Sequence, residues 1–415
     1  MIALSLAEVA ELCPGRLEAA GWAGEVTGVQ IDSRRISEGD LFVAVGAGAD
    51  FCRHALARGA AATLVPDDAP AALAALACAV RGRSEARIVA ITGSTGKTST
   101  KDILAAICEP RARTVAAEAS YNNELGVPLT LCRLEPDTEI CVLELAMRGV
   151  GQIAGLAAIA GPDVGVITNA GPAHLELVGS VEAVVRAKSE LLEALPAGGI
   201  AVVPEDFPVE RDDLDVRRFA DPEARVVDGH TVIAFEGREV EFSSTARYQA
   251  RNGLAALLAA QALGVTVEGF VDISFGRWRG EELELPGGGL LINDCYNANP
   301  VSMRAALEHL ADRAAGRRTV AVLGDMAELG PDAPAYHEEI GRAAAELGVG
   351  VLVAIGPHAR HYATGDVPLA RHARTVEEGI VALDGLLEPG DCVLVKASRA
   401  LGLEAIAEHL TTVRV

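Results

Sequence analysis

The stretch Ala90-Ile91-Thr92-Gly93-Ser94-Thr95-Gly96-Lys97-Thr98-Ser99 decides the fold, because it carries an apolar strand into a helix through a glycine loop ending in lysine and threonine. Gly93 and Gly96 let the backbone approach a phosphate closely. The helix that begins near Thr98 aims its unpaired N–H groups and the positive end of its dipole at the same point. In that arrangement Lys97 sits on the β- and γ-phosphates of a nucleotide and the Thr98 hydroxyl on Mg2+. Only Ser94 and Thr95 separate the two glycines, so the loop is expected to be shorter than the common phosphate loop. A strand-to-helix turn that merely contains Gly-Lys-Thr is the plain alternative, and the apolar run Ile88-Val89-Ala90-Ile91 argues against it.

From this point strand and helix patterns alternate. Strands are expected at 88–92, 140–145, 164–168 and 200–203, with helices at 99–108, 151–160 and 180–195. This is the signature of a parallel sheet with helices on both faces. Residues 1–84 read as a small α/β unit, with helices at 5–13 and near 55–58, a polar turn at 32–35 and strands at 41–45 and 62–65. The charged run Arg81-Gly82-Arg83-Ser84-Glu85 reads as a linker. Beyond the central block, 212–242 reads as polar turns and short strands, and 251–263 as an Ala/Leu-rich helix. A further block has strands at 290–292, 319–323, 351–355 and 392–395, interleaved with helices at 302–313, 335–347, 376–386 and 403–409. The fold class is therefore α/β with three domains. A central phosphate-loop sheet domain (85–275) is flanked by a small N-terminal α/β domain (1–84) and a C-terminal Rossmann-like α/β domain (276–415).

Composition narrows the partners. The chain has 415 residues, too many for one ordinary core. Its 58 acidic and 36 basic side chains leave a net charge of −22, which argues against nucleic acid or an anionic membrane surface. The eight cysteines are scattered without a C-x-x-C pair and read as buried free thiols of a reducing compartment. The N-terminal residues lack a basic region of the secretory kind. No run reaches the roughly 20 apolar residues needed to cross a bilayer, and the segment 153–167 is broken by Gly161-Pro162-Asp163. A cytoplasmic location without membrane insertion is expected.

In an open parallel sheet, ligands bind beyond the carboxyl ends of the strands. One such end is the phosphate loop. A second is Glu144, a carboxylate suited to Mg2+, and a third is followed by Asn169 and then His174. Singly, Glu144 reads as one half of an ion pair and His174 as a surface histidine; together beside a phosphate loop they read as a site. Lys188 by spacing alone is a solvated helix lysine, and His358 with His361 reads as surface. In the third block, Asp294-Cys295-Tyr296-Asn297-Ala298-Asn299-Pro300 and Gly324-Asp325-Met326 also follow strands and put polar groups where a cleft between domains would lie.

Over nearly the whole chain these residues resemble the ATP-dependent Mur ligases of peptidoglycan synthesis. Thr92 to Thr98 is similar to that family's ATP loop, Tyr121-Asn122-Asn123-Glu124-Leu125-Gly126 to its substrate loop, and Ala187-Lys188-Ser189-Glu190 to its modified-lysine helix. The segments 294–300 and 323–330, with His337, resemble the branch that joins D-alanyl-D-alanine to UDP-N-acetylmuramoyl-tripeptide. The resemblance implies that ATP is held by Gly93, Ser94, Thr95, Gly96, Lys97, Thr98 and Ser99, with Asn252 and Asp294 on adenine and ribose and Arg279 on the γ-phosphate. It implies two Mg2+ ions surrounded by Thr98, Glu144 and His174, with Lys188 converted by CO2 to a carbamate that supports them. The catalytic set is then Lys97, Lys188, His174 and Arg279. Substrate contacts fall to Ser33 and Arg34 at the uridine end and to Asn122, Asn123, Tyr296, Asn297 and Asn299. The implied partners are small-molecule substrates only, acted on by a monomer. The chain departs from the family at Ala47-Gly48-Ala49, where Asp-Gly-His is usual, and at Tyr248-Gln249, where His-Asn is usual. A ligase using another acyl acceptor, and a nucleotide-binding regulatory protein without turnover, are the competing readings.

Overall fold

The computed structural model describes residues 1–21, 24–173, 175–364 and 366–412. The quoted strand, Arg87–Thr92, is buried from Ile88 onward and lies inside a six-stranded sheet. The strand order is Asp215–Phe219, Ile200–Pro204, Val164–Ile167, Arg87–Thr92, Ile140–Glu144, Thr114–Ala116. Every pairing is parallel. Strands covered on both faces must be apolar throughout, which is why Ile140–Glu144 and Val164–Ile167 read as unbroken runs. The chain places Ile140–Glu144 on one side of Arg87–Thr92 and Val164–Ile167 on the other. The order reverses there, and the carboxyl ends of these strands open a crevice.

The helix Lys97–Cys108 packs along Gln249–Ala262, whose buried Ala250, Ala255, Ala256, Ala259 and Ala260 let the two backbones approach. Residues 212–242 form the short strands expected, with Ala224–Val227, His230–Phe235 and Arg238–Phe242 antiparallel and Gly269–Val271 added at the edge.

Two readings from sequence are corrected here. Residues 69–81 form a helix, Ala69–Arg81, capped by Asp68, that the sequence analysis did not place. Its Leu73, Leu76, Ala77 and Val80 are buried at helical spacing, but alanine elsewhere in the segment blurs the polar face. The first unit also gains the strands Gly15–Ala19 and Gly28–Gln30 around Ala62–Pro66 and Asp40–Val43. Second, Cys78 on that helix is exposed, whereas the other seven free cysteines are buried.

The third unit is a six-stranded sheet ordered Glu281–Leu285, Gly289–Asn293, Cys392–Lys396, Thr319–Gly324, Val351–Ile355, Leu369–Ala373. Only Glu281–Leu285 runs antiparallel. That strand and Leu369–Ala373 are the edges, and their mixed polar sequence hid them from the hydrophobic pattern. No helix among the described residues is long and apolar enough to cross a membrane.

The second and third units meet at Glu282. Thr245 donates to its carboxylate, Arg313 binds it through two hydrogen bonds of 2.8 Å, and His309 Nε2 lies 3.4 Å away. Burial pushes this carboxyl up, but the contacts to His309, Arg313 and Thr245 outweigh it and hold it at about 2. A depressed carboxylate stabilises the fold above its ordinary value and loses that contribution as pH falls through its folded value. Thermal midpoints measured in acid are therefore expected to fall between pH 4.5 and about 2, and Glu282→Gln to flatten that fall. An unchanged slope in the variant would remove Glu282 from the account.

Candidate active site

The phosphate loop closes on itself through local contacts. Gly96 is left-handed at φ +78, and a Cβ there would lie 2.3 Å from Asn252 Oδ1. A Cβ on Gly93 would lie 1.8 Å from Thr168 Oγ1. Both positions therefore exclude a side chain, so the loop backbone packs directly on its neighbours. Lys97 Nζ donates to the Gly93 carbonyl at 2.7 Å, at the first residue of its helix. Burial depresses the Lys97 ammonium, Glu144 opposes that, and Arg279 adds to it. The arginine of the third unit and the lysine of the loop line the same cleft.

Glu144 ends its strand at 1 % exposure. Thr98 Oγ1 donates to one of its oxygens at 2.7 Å and Asn122 Nδ2 to the other at 2.8 Å. Asn122, expected as a substrate contact, also orients this carboxylate. Asn123 Oδ1 accepts from the N–H groups of Leu125 and Gly126 and so shapes the start of the helix Gly126–Leu131.

Lys188 is not solvated, as its spacing implied, but 1 % exposed on the helix Val181–Glu193. It shares a face with buried Val184, Ala187 and Leu191, and a lysine on that apolar stripe was the signal available in the sequence. No described residue accepts a hydrogen bond from it. Burial, with the nearby charge of Lys97, drives its pKa well below the ordinary value and so favours the neutral amine. His174 lies outside the described residues.

A cleft of about 1470 Å3 between the second and third units gathers most of the remaining positions. Ser94 to Ser99, Asn122, Asn123, Glu144 and Asn252 line one wall; Arg279, Asp294, Tyr296, Asn297 and Asn299 line the other. Arg279 Cζ stacks 3.8 Å from the Tyr296 ring centroid, which fixes the guanidinium over the cleft. Asn252 Nδ2 donates to Gln249 Oε1 at 2.8 Å, and Gln249 in turn reaches Ser99 Oγ at 3.4 Å. Asn299 caps the helix Pro300–Ala314.

Lys396 lines the cleft as well. It is 2 % exposed and donates to Asp294 Oδ2 at 2.7 Å and the Asn297 carbonyl at 2.8 Å, fixing the loop that carries Asp294, Tyr296 and Asn297. Ser398 Oγ accepts from Ala327 N at 2.8 Å and donates to the Ala298 carbonyl at 3.4 Å, tying the segment after Gly324 to the same loop. Ser33 and Arg34 do not line the cleft. Ser33 is buried against His54 Nδ1 at 2.9 Å, and Arg34 points into solvent with Asp32 as its ion partner at 2.8 Å. The next residue, Arg35, joins the first unit to the second through Glu118 and Tyr121. His358 is exposed, in keeping with its reading as surface, whereas His361 is half-buried with its Nδ1 3.6 Å from Glu338.

A phosphate loop on one parallel sheet, faced across a single cleft by an arginine and an Asp/Asn loop from a second, defines a multidomain nucleotide-dependent enzyme. Residues 91–260 match the Mur ligase middle domain, and residues 278–399 match the Mur ligase glutamate ligase domain. A UDP-N-acetylmuramoyl-tripeptide--D-alanyl-D-alanine ligase of Mycobacterium tuberculosis is 38% identical over 99% of this chain and 98% of its own length. The Escherichia coli enzyme of the same name is 32% identical over 99% of each. Among solved structures, MurF from Acinetobacter baumannii superposes with a TM-score of 0.86 at 28% identity, covering 99% of both chains. MurF from Thermotoga maritima in complex with ADP gives 0.79 at 28% identity, over 92% of this chain and 97% of that one. The chain belongs to the Mur ligase family, in the branch of its D-alanyl-D-alanine-adding members.

Proposed function

We propose that this chain joins D-alanyl-D-alanine to the terminal carboxylate of UDP-N-acetylmuramoyl-tripeptide with cleavage of ATP to ADP and phosphate, in the cytoplasm and as a monomer. The observation that carries this reading is the cleft in which Lys97, the Thr98–Glu144 pair and Arg279 converge from two domains. Residues 1–84 are assigned to the UDP-sugar, 85–275 to the nucleotide and 276–415 to the incoming dipeptide.

Thr98 and Glu144 supply hard oxygen donors, and among the described residues no cluster of three His, Cys, Asp or Glu offers a cage. Such a donor set fits Mg2+, which takes one or two carboxylates and completes its shell with phosphate and water. Bound there, Mg2+ supplies charge neutralisation at the transferring phosphoryl group. Thr98 and Glu144 would hold one ion, with His174 and Lys188 assigned to a second. The neutral form of Lys188, which burial favours, is nucleophilic toward CO2: its nitrogen bonds the carbon, loses a proton and leaves a carbamate anion in place of an amine.

Lys97 and Arg279 approach the γ-phosphate from opposite walls and offset the charge that spreads over its oxygens. The tripeptide carboxylate oxygen bonds phosphorus as the bond to ADP breaks, giving an acyl phosphate. The dipeptide amine then bonds the acyl carbon, phosphate leaves and the nitrogen gives up a proton. Closure of the domains over the cleft is the step that excludes water from the acyl phosphate. Asp294, held by Lys396, and Asn252 are placed for the nucleoside, while Asn123, Tyr296, Asn297 and Asn299 face the acceptor and the dipeptide. Ser33 and Arg34, outside the cleft, are assigned to the uridine end.

Phosphate release with ATP, Mg2+ and either lysine- or diaminopimelate-containing UDP-tripeptide tests the assignment. Release is expected only when D-alanyl-D-alanine is also present, with a UDP-pentapeptide as product. Release independent of the dipeptide, or none with either tripeptide, refutes it.

A further inference from the structure

Asn169, the first residue past the neighbouring strand Val164–Ile167 and Thr168, makes four side-chain hydrogen bonds to the phosphate loop. Its Oδ1 accepts from the backbone N–H of Ser94 at 3.1 Å and of Thr95 at 3.0 Å. Its Nδ2 donates to Thr95 Oγ1 at 2.7 Å and to the Thr95 carbonyl at 3.1 Å. The amide orientation is determined by these partners: reversed, it would set NH2 against two N–H groups and its oxygen against a carbonyl. Thr168 Oγ1 adds a bond to the same Thr95 carbonyl at 2.5 Å, and Ser94 Oγ meets Gly171 at 3.0 Å.

A loop with only Ser94 and Thr95 between its glycines has few internal hydrogen bonds with which to hold its shape. The donors of those two residues turn toward Asn169. The N–H groups of Gly96 to Ser99 are left at the helix start, where a phosphate docks. We infer that Asn169 is a positioning residue that braces the shortened phosphate loop from the adjacent strand. It sets the loop's binding geometry before nucleotide arrives. This rests on the loop being the nucleotide site, and goes beyond that reading by assigning ATP affinity to a side chain outside the loop.

The test measures Mg-ADP binding by calorimetry on the full chain, without either acceptor, for the wild type, Asn169→Ala and Asn169→Asp. The alanine variant leaves the Thr95 N–H and the Thr95 carbonyl without their Asn169 side-chain partners, while the Ser94 N–H keeps only the Asn169 backbone carbonyl at 3.1 Å, and it is expected to weaken ADP about tenfold. Aspartate keeps the size and the acceptor oxygen but turns a second oxygen toward the Thr95 carbonyl and adds negative charge near the phosphates, so it is expected to bind ADP more weakly than alanine does. In turnover, KM for ATP should rise while KM for the peptide substrates and kcat at saturating ATP stay near wild type. Should Asn169→Ala fail to fold, Asn169→Asp carries the test alone. Wild-type ADP affinity in the aspartate variant, or a uniform loss across all substrates, overturns the brace. Failure of the wild type itself to bind ADP would instead overturn the nucleotide site.

Discussion

Lys188→Ala is expected to lower kcat by roughly a thousandfold while Mg-ADP binding persists, on the scale seen when one preorganised charge in a site is lost. The expectation rests on where the amine sits. A lysine at 1 % exposure with no acceptor among the described residues pays desolvation for its charge, which favours its neutral form. A buried neutral amine beside the phosphate-loop lysine has little structural purpose, yet it is poised for CO2. Because its pKa is driven down, carbamate formation is favoured at lower pH than for a solvated lysine. Protein equilibrated with 13C-labelled CO2 at neutral pH should show a carbamate resonance that Lys188→Ala lacks. Near-normal turnover in the variant, or the same resonance in both proteins, would remove the carbamate from the mechanism.

Glu144→Gln should cost about a hundredfold to a thousandfold in kcat and raise the Mg2+ concentration needed for half-maximal rate. The substitution preserves shape, and one amide oxygen still accepts from Thr98 or Asn122. What disappears is the charge at the end of a fully buried strand. That charge also supports Lys97, whose ammonium burial and Arg279 both disfavour. Without Glu144 the Lys97 pKa falls further, so the alkaline limb of the pH–rate profile should move to lower pH. A Mg2+ titration of turnover at several pH values measures both effects. Unchanged half-saturation and an unmoved limb would show that neither metal nor Lys97 depends on this carboxylate.

These two residues mark how far a sequence can be read. Glu144 was legible because a strand's apolar run ends in a carboxylate, and parallel-sheet geometry brings such ends together. Lys188 was misread as solvated, because helical spacing reports which residues share a face but not what covers that face. The same gap hid the helix Ala69–Arg81, in which alanine weakens the contrast between faces, and the edge strands Glu281–Leu285 and Leu369–Ala373, which have one unpaired side and so need less apolar sequence.

Local chemistry along the chain therefore determined the phosphate loop, the alternation of strands and helices and the polar strand ends. Each is set within a few residues, by glycine's freedom, by apolar periodicity and by the helix start. Only the tertiary structure decided which polar groups meet: Thr98 with Glu144 across 46 residues, Asn169 with Thr95 across 74, and Lys396 with Asp294 across 102. Those pairings depend on strand order and on the side from which each crossover returns within a domain. Hydrophobic burial sets that geometry through the whole core, and no short stretch of residues encodes it.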